Sequence, residues 1–200
     1  MDPANCCCLI PARAGSKRIP GKNFRPLAGL SPIMRALCVA RAAGFQPRIS
    51  TDAAYLVEAR PRHPAILVRP AGYALDTTEM VTVVAHAMQC LPGDPIVLVQ
   101  PTQPLRRPEH LTAALALLTP DVDSVVTIGL DRFVRDGTAY VFWRKTVAHF
   151  GTIYGEQIVL LPIPAQETCP LDTPEDWREA ERRLRENEGE HHYVSALLAH

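Results

Sequence analysis

The stretch Cys6-Cys7-Cys8-Leu9-Ile10 is the first of several short apolar runs, and the spacing of these runs decides the fold. The others lie at residues 47–51, 65–69, 95–100 and 124–128, with longer amphipathic stretches between most of them. Buried strands that alternate with helices at this spacing form βαβ units and hence a parallel sheet. The sequence therefore predicts the α/β class, with three layers: a mostly parallel sheet and helices on both of its faces.

Start signals and apolar spacing predict four helices. Ser31 can cap the first, with Pro32 at its first helical position, and Pro108 opens the third. The second carries an apolar stripe formed by Met80, Val83, Val84, Ala87 and Met88. The last begins at Thr173-Pro174-Glu175-Asp176, where Thr173 fits the cap and acids occupy the first turn.

The domain organisation is simple. Residues 138–143 and 158–163 predict two further strands, and neither a repeat nor a linker divides the chain. We expect one domain over residues 1–188 and a loose tail at residues 189–200.

Composition limits the partners. The chain has 21 basic and 21 acidic side chains, so its formal net charge is zero and an anion site must be local. It gives no support for nucleic-acid binding, and no apolar stretch approaches the ~20 residues of a membrane span. The six cysteines, including Cys38 and Cys90 on apolar helix faces, lack metal-ligand spacing and are interpreted as buried thiols. With no basic region typical of a signal peptide at the N-terminus, we expect a cytoplasmic chain without nucleic-acid or membrane partners.

The loop after the first strand concentrates positive charge. It carries Arg13, Lys17, Arg18 and Lys22, with glycines among them and no acid to balance them within the loop. Such a loop lies at the carboxyl end of a parallel strand, where open α/β sheets bind ligands. Close backbone approach and compact cations are what a triphosphate needs, so we interpret the loop as an anion cradle rather than as a solvated basic loop.

Two common nucleotide motifs are excluded by spacing. Five residues separate Gly15 from Gly21-Lys22, which is too many for a Walker A loop, and Asn23 replaces the hydroxyl that would bind magnesium. Pro20 also removes a backbone donor. The chain contains no Gly-x-Gly-x-x-Gly, so a dinucleotide-binding enzyme is not indicated.

Residues 10–23, Ile-Pro-Ala-Arg-Ala-Gly-Ser-Lys-Arg-Ile-Pro-Gly-Lys-Asn, closely resemble the opening motif of the acylneuraminate cytidylyltransferases, the CMP-sialic acid synthetases and their relatives for other nonulosonic acids. The resemblance continues through residues 49–52, 68–70, 100–106 and 171–176, in the family's order. It implies a Rossmann-like fold of the nucleotide-diphospho-sugar transferase type. It also implies transfer of CMP from CTP to an α-keto sugar acid, with Mg²⁺ and release of pyrophosphate.

The resemblance also implies roles for single residues. The implied CTP-binding residues are Ala12, Arg13, Gly15, Ser16, Lys17, Lys22, Asn23 and Arg69. The implied catalytic residues are Arg13, Lys17, Lys22 and Asp172, and Asp172 would also hold the metal. Gln100 and Arg135 would contact the acceptor. Chemistry agrees, because attack on the α-phosphate needs charge neutralised on the departing pyrophosphate.

Two acids keep open alternatives. Asp52 is either a turn or cap residue after the second strand or a member of the site. Asp76 follows a loop resembling the family's nucleotide-facing segment, although Thr77 or Thr78 could equally cap the next helix.

Two departures from the family concern metal and acceptor. Pro170 stands where a second metal-binding Asp is usual. The family's long dimerisation insertion is reduced to residues 129–136, which keep only Arg132 and Arg135 as cations, and Asp136 stands where Asn is usual. The expected partners are CTP and a small anionic acceptor. A homodimer would have to form without the usual segment. Alternatives are a different acceptor, such as a phosphonate, or a nucleotide-binding homologue without turnover.

Overall fold

The computed structural model describes residues 1–59, 65–130 and 134–187. Within these ranges seven strands form one sheet: β1 (Cys7–Pro11), β2 (Arg48–Thr51), β3 (Ile66–Val68), β4 (Ile96–Leu98), β5 (Ser124–Gly129), β6 (Val134–Phe142) and β7 (Ile158–Ile163). The α-helices are α1 (Pro32–Ala42), α2 (Ala54–Ala59), α3 (Met80–Cys90), α4 (Pro108–Leu117), α5 (Arg144–Phe150) and α6 (Pro174–Glu186). Short 3-10 helices lie at Pro3–Asn5, Ala71–Tyr73 and Ala165–Glu167.

The strand order is β3-β2-β1-β4-β6-β5-β7. β1 pairs in parallel with β2 and β4, β2 with β3, and β5 with β7. Among these strands β6 alone runs antiparallel to its neighbours, β4 and β5. The predicted α/β class with a mostly parallel sheet is therefore confirmed.

Alternate side chains of β1 enter two different cores. Cys8 and Ile10 pack in a cluster with α1 and α4, whereas Cys7 and Leu9 pack in a cluster with α3 and α5. Because successive strand residues point to opposite faces, a strand covered on both faces must be continuously apolar. The cysteine run meets that requirement, and burial raises the pKa of the Cys6 thiol to about 11. The predicted helices on both faces are confirmed.

A third apolar cluster fixes the cationic loop to the C-terminal helix. Ile19 and Leu27 from the loop pack with Leu171, Trp177 and Leu184. The helix begins where predicted, because Thr173 Oγ1 accepts a hydrogen bond from the Asp176 N–H at 3.1 Å. The Asp176 carboxylate accepts in return from the Thr173 N–H at 2.7 Å, which completes a capping box. The cationic loop is therefore packed against α6 and the segment that leads into it.

Some local predictions need correction. Cys90 is exposed, whereas Cys38 and the other four cysteines are buried. Cys90 has the spacing of the apolar stripe but is the last residue of α3, where spacing no longer ensures burial. Ser31 occupies the cap position of α1 without a side-chain cap hydrogen bond. Helices α2 and α5 were not predicted, because both are short and lack a clear apolar stripe.

Within residues 129–136, Gly129 is the last residue of β5 and Val134 is the first residue of β6. Arg132 and the tail at residues 189–200 lie outside the described residues. No helix in the described part of the chain is long and apolar enough to cross a membrane.

Candidate active site

A cavity of about 570 Å³ opens at the carboxyl ends of the parallel strands. Pro11 at the end of β1, Arg69 just after β3 and Gln100 just after β4 all line it. The loop between β1 and α1 contributes Arg13, Ser16, Lys17, Lys22 and Asn23. This edge of an open parallel sheet is where ligands bind, because the strand ends and their loops leave a crevice there. Most of the predicted nucleotide contacts are therefore brought together.

Two predicted contacts, Ala12 and Gly15, are not among the residues that line the cavity. Ala12 is fully buried, and its N–H donates to the Ser50 carbonyl at 2.9 Å. At Gly15 an added Cβ would meet open space, so close packing does not require glycine there.

Two side chains hold the ends of the cationic loop. The Asp52 carboxylate accepts a hydrogen bond from the Ala14 N–H at 2.8 Å. Asn23 is buried, and its amide donates to the Arg13 carbonyl at 3.1 Å. Asp52 does not line the cavity, and the contact that the structure shows for its carboxylate is this structural bond to the loop. Asn23, predicted as a nucleotide contact, has this structural bond besides lining the cavity.

Each of the four cations in residues 13–22 has a partner within the protein. Arg13 and Lys17 both form ion pairs with the Asp76 carboxylate, one with each oxygen. Arg18 pairs with Asp172 at 3.1 Å. The Lys22 ammonium donates to the Leu171 carbonyl at 2.9 Å. Residues 13–22 contain no acid, but two acids from distant segments, Asp76 and Asp172, pair with these cations.

Two of the cations that line the cavity are shielded from solvent, Lys22 partly and Arg69 almost completely. Burial lowers the pKa of Lys22 from its ordinary value, against the opposing effect of Asp172. Burial also lowers the pKa of Arg69 to about 10, so this side chain remains charged at neutral pH. Arg69 Nε donates to Ser50 Oγ at 3.1 Å, and a second nitrogen donates to the Ser50 carbonyl at 2.8 Å. Both cations are therefore held by hydrogen bonds within the protein.

The predicted acceptor contacts separate. Gln100 lines the cavity beside Gly137, where an added Cβ would lie only 2.5 Å from Gln100 Oε1. Arg135 does not line the cavity, and its guanidinium instead stacks over the Tyr154 ring, 4.5 Å from the centroid. Of the two predicted acceptor contacts, Gln100 therefore lies at the cavity and Arg135 does not.

Behind Gln100 lies a buried polar side chain to which the sequence analysis gave no role. Arg106 is 1% exposed and donates to the carbonyls of Gln100, Gly137 and Thr138. Three carbonyl acceptors compensate its buried charge in part, and the guanidinium thereby joins the end of β4 to β6. The sequence does carry a signal for this residue: Arg106 lies in residues 100–106, a stretch in which only Gln100 was assigned a role.

Gln103 and Asp136 extend this network. The Gln103 amide nitrogen donates to the Asp136 carbonyl at 2.8 Å and to Thr168 Oγ1 at 2.6 Å, and its oxygen accepts from the Cys169 N–H at 3.0 Å. The Asp136 carboxylate accepts from Thr127 Oγ1 and Thr138 Oγ1, each at 2.6 Å. Gln103 thereby ties β6 to the segment that leads into Asp172.

Asp172 is the acid nearest to the loop cations on the α6 side, and half of its side chain is exposed. Its neighbour Asp176 is engaged in the helix cap. Among residues 1–59, 65–130 and 134–187 there is no group of three His, Cys, Asp or Glu side chains that could hold a metal. A metal bound here would need most of its ligands from a phosphate substrate and water, which Mg²⁺ commonly accepts.

Comparison with known proteins shows the family and the fold to which the chain is similar. A sequence model of the cytidylyltransferase family matches residues 7–135. The chain is 26% identical over 223 residues to CMP-N,N'-diacetyllegionaminic acid synthase of Legionella pneumophila subsp. pneumophila, covering 90% of this chain and 96% of that protein. It is 37% identical over 166 residues to 3-deoxy-manno-octulosonate cytidylyltransferase of Acidobacterium capsulatum, covering 74% of this chain but only 66% of that enzyme.

Among solved structures, a CMP:2-keto-3-deoxy-manno-octonic acid synthetase complexed with CTP superposes with a TM-score of 0.70 at 16% identity. The match covers 92% of this chain and 99% of that one, and at this identity it shows the shared fold. The resemblance inferred from the loop motif is thus confirmed over more than half of the sequence, from β1 into β6: the chain belongs to the cytidylyltransferase family.

Proposed function

We propose that this enzyme transfers CMP from CTP to a small anionic acceptor, an acidic keto sugar of the nonulosonate type, in a Mg²⁺-dependent reaction that releases pyrophosphate. The observation that carries the proposal is the convergence of Arg13, Lys17, Lys22 and Arg69 in one cavity with Gln100. The two relatives support it, since one is a synthase of a CMP-linked sugar acid and the other is a cytidylyltransferase for 3-deoxy-manno-octulosonate.

The cations serve the nucleotide half of the reaction. An acceptor hydroxyl oxygen attacks the α-phosphorus in line and loses its proton to solvent. The new O–P bond forms as the bond between the α-phosphorus and the α,β-bridging oxygen breaks, and pyrophosphate leaves with that oxygen. Negative charge grows on the departing pyrophosphate, and fixed cations stabilise that charge most when little reorganisation is needed. Lys22 and Arg69 are already held by the Leu171 and Ser50 carbonyls, so they meet this condition.

Asp172 is the proposed metal ligand. Its half-exposed carboxylate adjoins the cation loop, and Thr173 rather than Asp172 caps α6. Mg²⁺ bound with the nucleotide would neutralise phosphate charge, the remaining ligands coming from phosphate oxygens and water. Pro170 supplies no second carboxylate, which is compatible with a metal held largely by the substrate.

The acceptor half rests on fewer groups. Gln100 offers an amide to a hydroxyl or carboxylate, and its position is fixed by Gly137 and by the Arg106 bond to its carbonyl. The other predicted acceptor contact, Arg135, would have to leave Tyr154 to take part. We propose that residues 1–188 act as one domain and that any dimer forms without the usual insertion.

The decisive experiment measures pyrophosphate release with each of the four nucleoside triphosphates. The acceptors are N-acetylneuraminate, N,N'-diacetyllegionaminate, 3-deoxy-manno-octulosonate and a simple phosphonate, each with and without Mg²⁺. We expect turnover with CTP, Mg²⁺ and at least one keto sugar acid. Turnover with the phosphonate alone would replace the acceptor class. CTP binding without turnover on any acceptor would favour the nucleotide-binding homologue, an alternative motivated by the single metal-ligating acid.

A further inference from the structure

The ion pairs at the mouth of the cavity occupy the groups that should bind phosphate. Asp76 lies in the segment after β3, beyond the 3-10 helix Ala71–Tyr73, and it lines the cavity. One of its oxygens contacts the Arg13 guanidinium and the other contacts the Lys17 ammonium. A carboxylate that joins two cations through separate oxygens does what two phosphate oxygens would do.

We propose that Asp76 is an intramolecular competitor of the nucleotide's phosphates: it pairs with Arg13 and Lys17, and it gives way when a triphosphate binds. This inference rests on the proposed function. It adds a residue that sets how strongly phosphate groups are held, and it assigns that role to a side chain outside the loop.

The two ion pairs of Asp76 are weak enough to be exchanged for contacts with phosphate. Side chains of Arg13 and Asp76 are each 31% exposed, and that of Lys17 is 82% exposed. Ion pairs that are at least partly exposed are weak and screened by salt, so a triphosphate carrying several charges can displace the single carboxylate. Hydrogen bonds from Lys17 and Arg13 hold the pKa of Asp76 below its usual range, so the competitor is charged at neutral pH.

The same exchange helps the reaction to finish. After transfer, pyrophosphate must leave cations that favour keeping it. Asp76 can replace it on Arg13 and Lys17, because the carboxylate is carried on the adjoining segment and need not diffuse. The expected consequence is a site that binds phosphate less tightly but releases it faster.

A positioning role would have the opposite sign. If Asp76 served to orient Arg13 and Lys17 toward phosphate, or to bind the metal, then removing its charge would weaken nucleotide binding. Competition predicts that removing the charge strengthens binding. The two roles are therefore separated by the direction of a single measured change.

The test is calorimetric titration of the full chain, with Mg²⁺, using CTP, pyrophosphate and cytidine as ligands. Asp76→Asn and Asp76→Ala are compared with Glu79→Gln, which removes the same charge from an exposed residue of the same segment that does not line the cavity. We expect both Asp76 variants to bind CTP and pyrophosphate about 3- to 10-fold more tightly, as two weak ion pairs are no longer broken. Cytidine binding should not change, and Glu79→Gln should behave as wild type.

Unchanged or weaker CTP and pyrophosphate binding in both Asp76 variants would overturn the inference while leaving the proposed function standing. A gain of the same size in Glu79→Gln would also overturn it, because the effect would then be one of general charge. A wild-type chain that binds neither CTP nor pyrophosphate would instead refute the proposed function, and the inference with it.

Discussion

Lys22 differs from the other loop cations in its surroundings. Lys17 is mostly exposed, whereas burial lowers the pKa of Lys22 and its ammonium is held by the Leu171 carbonyl. A charge in such surroundings is screened less by water, so it stabilises a nearby phosphate more than an exposed charge can. We therefore expect Lys22 to stabilise a bound phosphate more than Lys17 does.

We therefore predict that Lys22→Ala lowers kcat by about 10²–10³-fold, the usual loss when a preorganised charge-stabilising donor is removed. CTP binding should weaken as well. The measurement is pyrophosphate release together with CTP titration. Lys145→Ala is the matched control, because that lysine lies on α5 and donates to the Pro120 carbonyl. Turnover of Lys22→Ala at the wild-type rate would remove this residue from the phosphate site.

A second single-residue prediction concerns Gly137, which has a φ of 78° and faces Gln100. Gly137→Ala should displace the Gln100 side chain and raise the acceptor KM more than the CTP KM. Gly151→Ala is the control, since its φ is 63° and an added Cβ there would meet open space. Both variants should lose about 1–2 kcal/mol of stability from left-handed strain. Equal acceptor KM values in the two variants would show that Gly137 does not position Gln100.

At the scale of elements, two acids at the start of α6, Asp172 and Asp176, have different partners. Asp176 accepts from the N–H groups of Asp172 and Thr173, as part of the capping box. Asp172 takes no part in the cap as an acceptor, and its carboxylate pairs with Arg18. Asp176 thus stabilises the start of the helix, whereas Asp172 lines the cavity. This division of roles follows from the fixed spacing of the capping box.

From this division we predict that Asp172→Asn loses Mg²⁺-dependent turnover with little change in melting temperature. Asp176→Asn should instead lower the free energy of unfolding by roughly 1 kcal/mol, as expected for a damaged cap. Thermal melts and a Mg²⁺ titration of activity measure both effects. If Asp172→Asn kept its metal dependence, or melted far below wild type, the proposed metal role would be wrong.

At the scale of the whole molecule, long-range polar contacts join segments that are far apart in sequence. His110 of α4 is buried, its Nε2 lies 2.7 Å from the Glu167 carboxylate, and its Nδ1 accepts from the Arg107 N–H at 3.2 Å. That arrangement places the single proton of the neutral ring on Nε2. Burial lowers the pKa of His110 from its ordinary value, against the opposing effect of Glu167.

The sign of the pH dependence follows. Folding favours the neutral ring, so its contribution is complete above the ordinary histidine pKa of about 6.5 and is lost as pH falls through the lower folded-state pKa. We predict that the melting temperature falls between pH 7.5 and pH 5 more steeply in the wild type than in His110→Gln. Melts of both proteins across this window provide the measurement. Parallel curves would show that His110 does not titrate with unfolding.

Much of the fold could be predicted because its information is local. A continuous apolar run at β1 requires cover on both faces, and Thr173 with Asp176 fixes the start of α6 whatever surrounds it. Short helices such as α2 and α5 were missed, and Cys90 was expected to be buried, because burial at an element's end depends on neighbours that spacing does not specify. In the site, the sequence identified the residues of the loop but not the buried Arg106 and Gln103.

The sequence by itself determined that the four cations and two glycines of residues 13–22 follow the first strand. It also predicted that this loop lies at the carboxyl end of a parallel strand, which the structure confirms. Only the tertiary structure decided what faces those cations. Arg18 meets Asp172 across a sequence separation of 154 residues, and Asp76 reaches Arg13 and Lys17 from the segment after β3. The tertiary structure likewise places the Arg135 guanidinium over the Tyr154 ring. The physical reason is that charge type is a property of each residue, whereas charge compensation depends on which distant segments the packed sheet brings together.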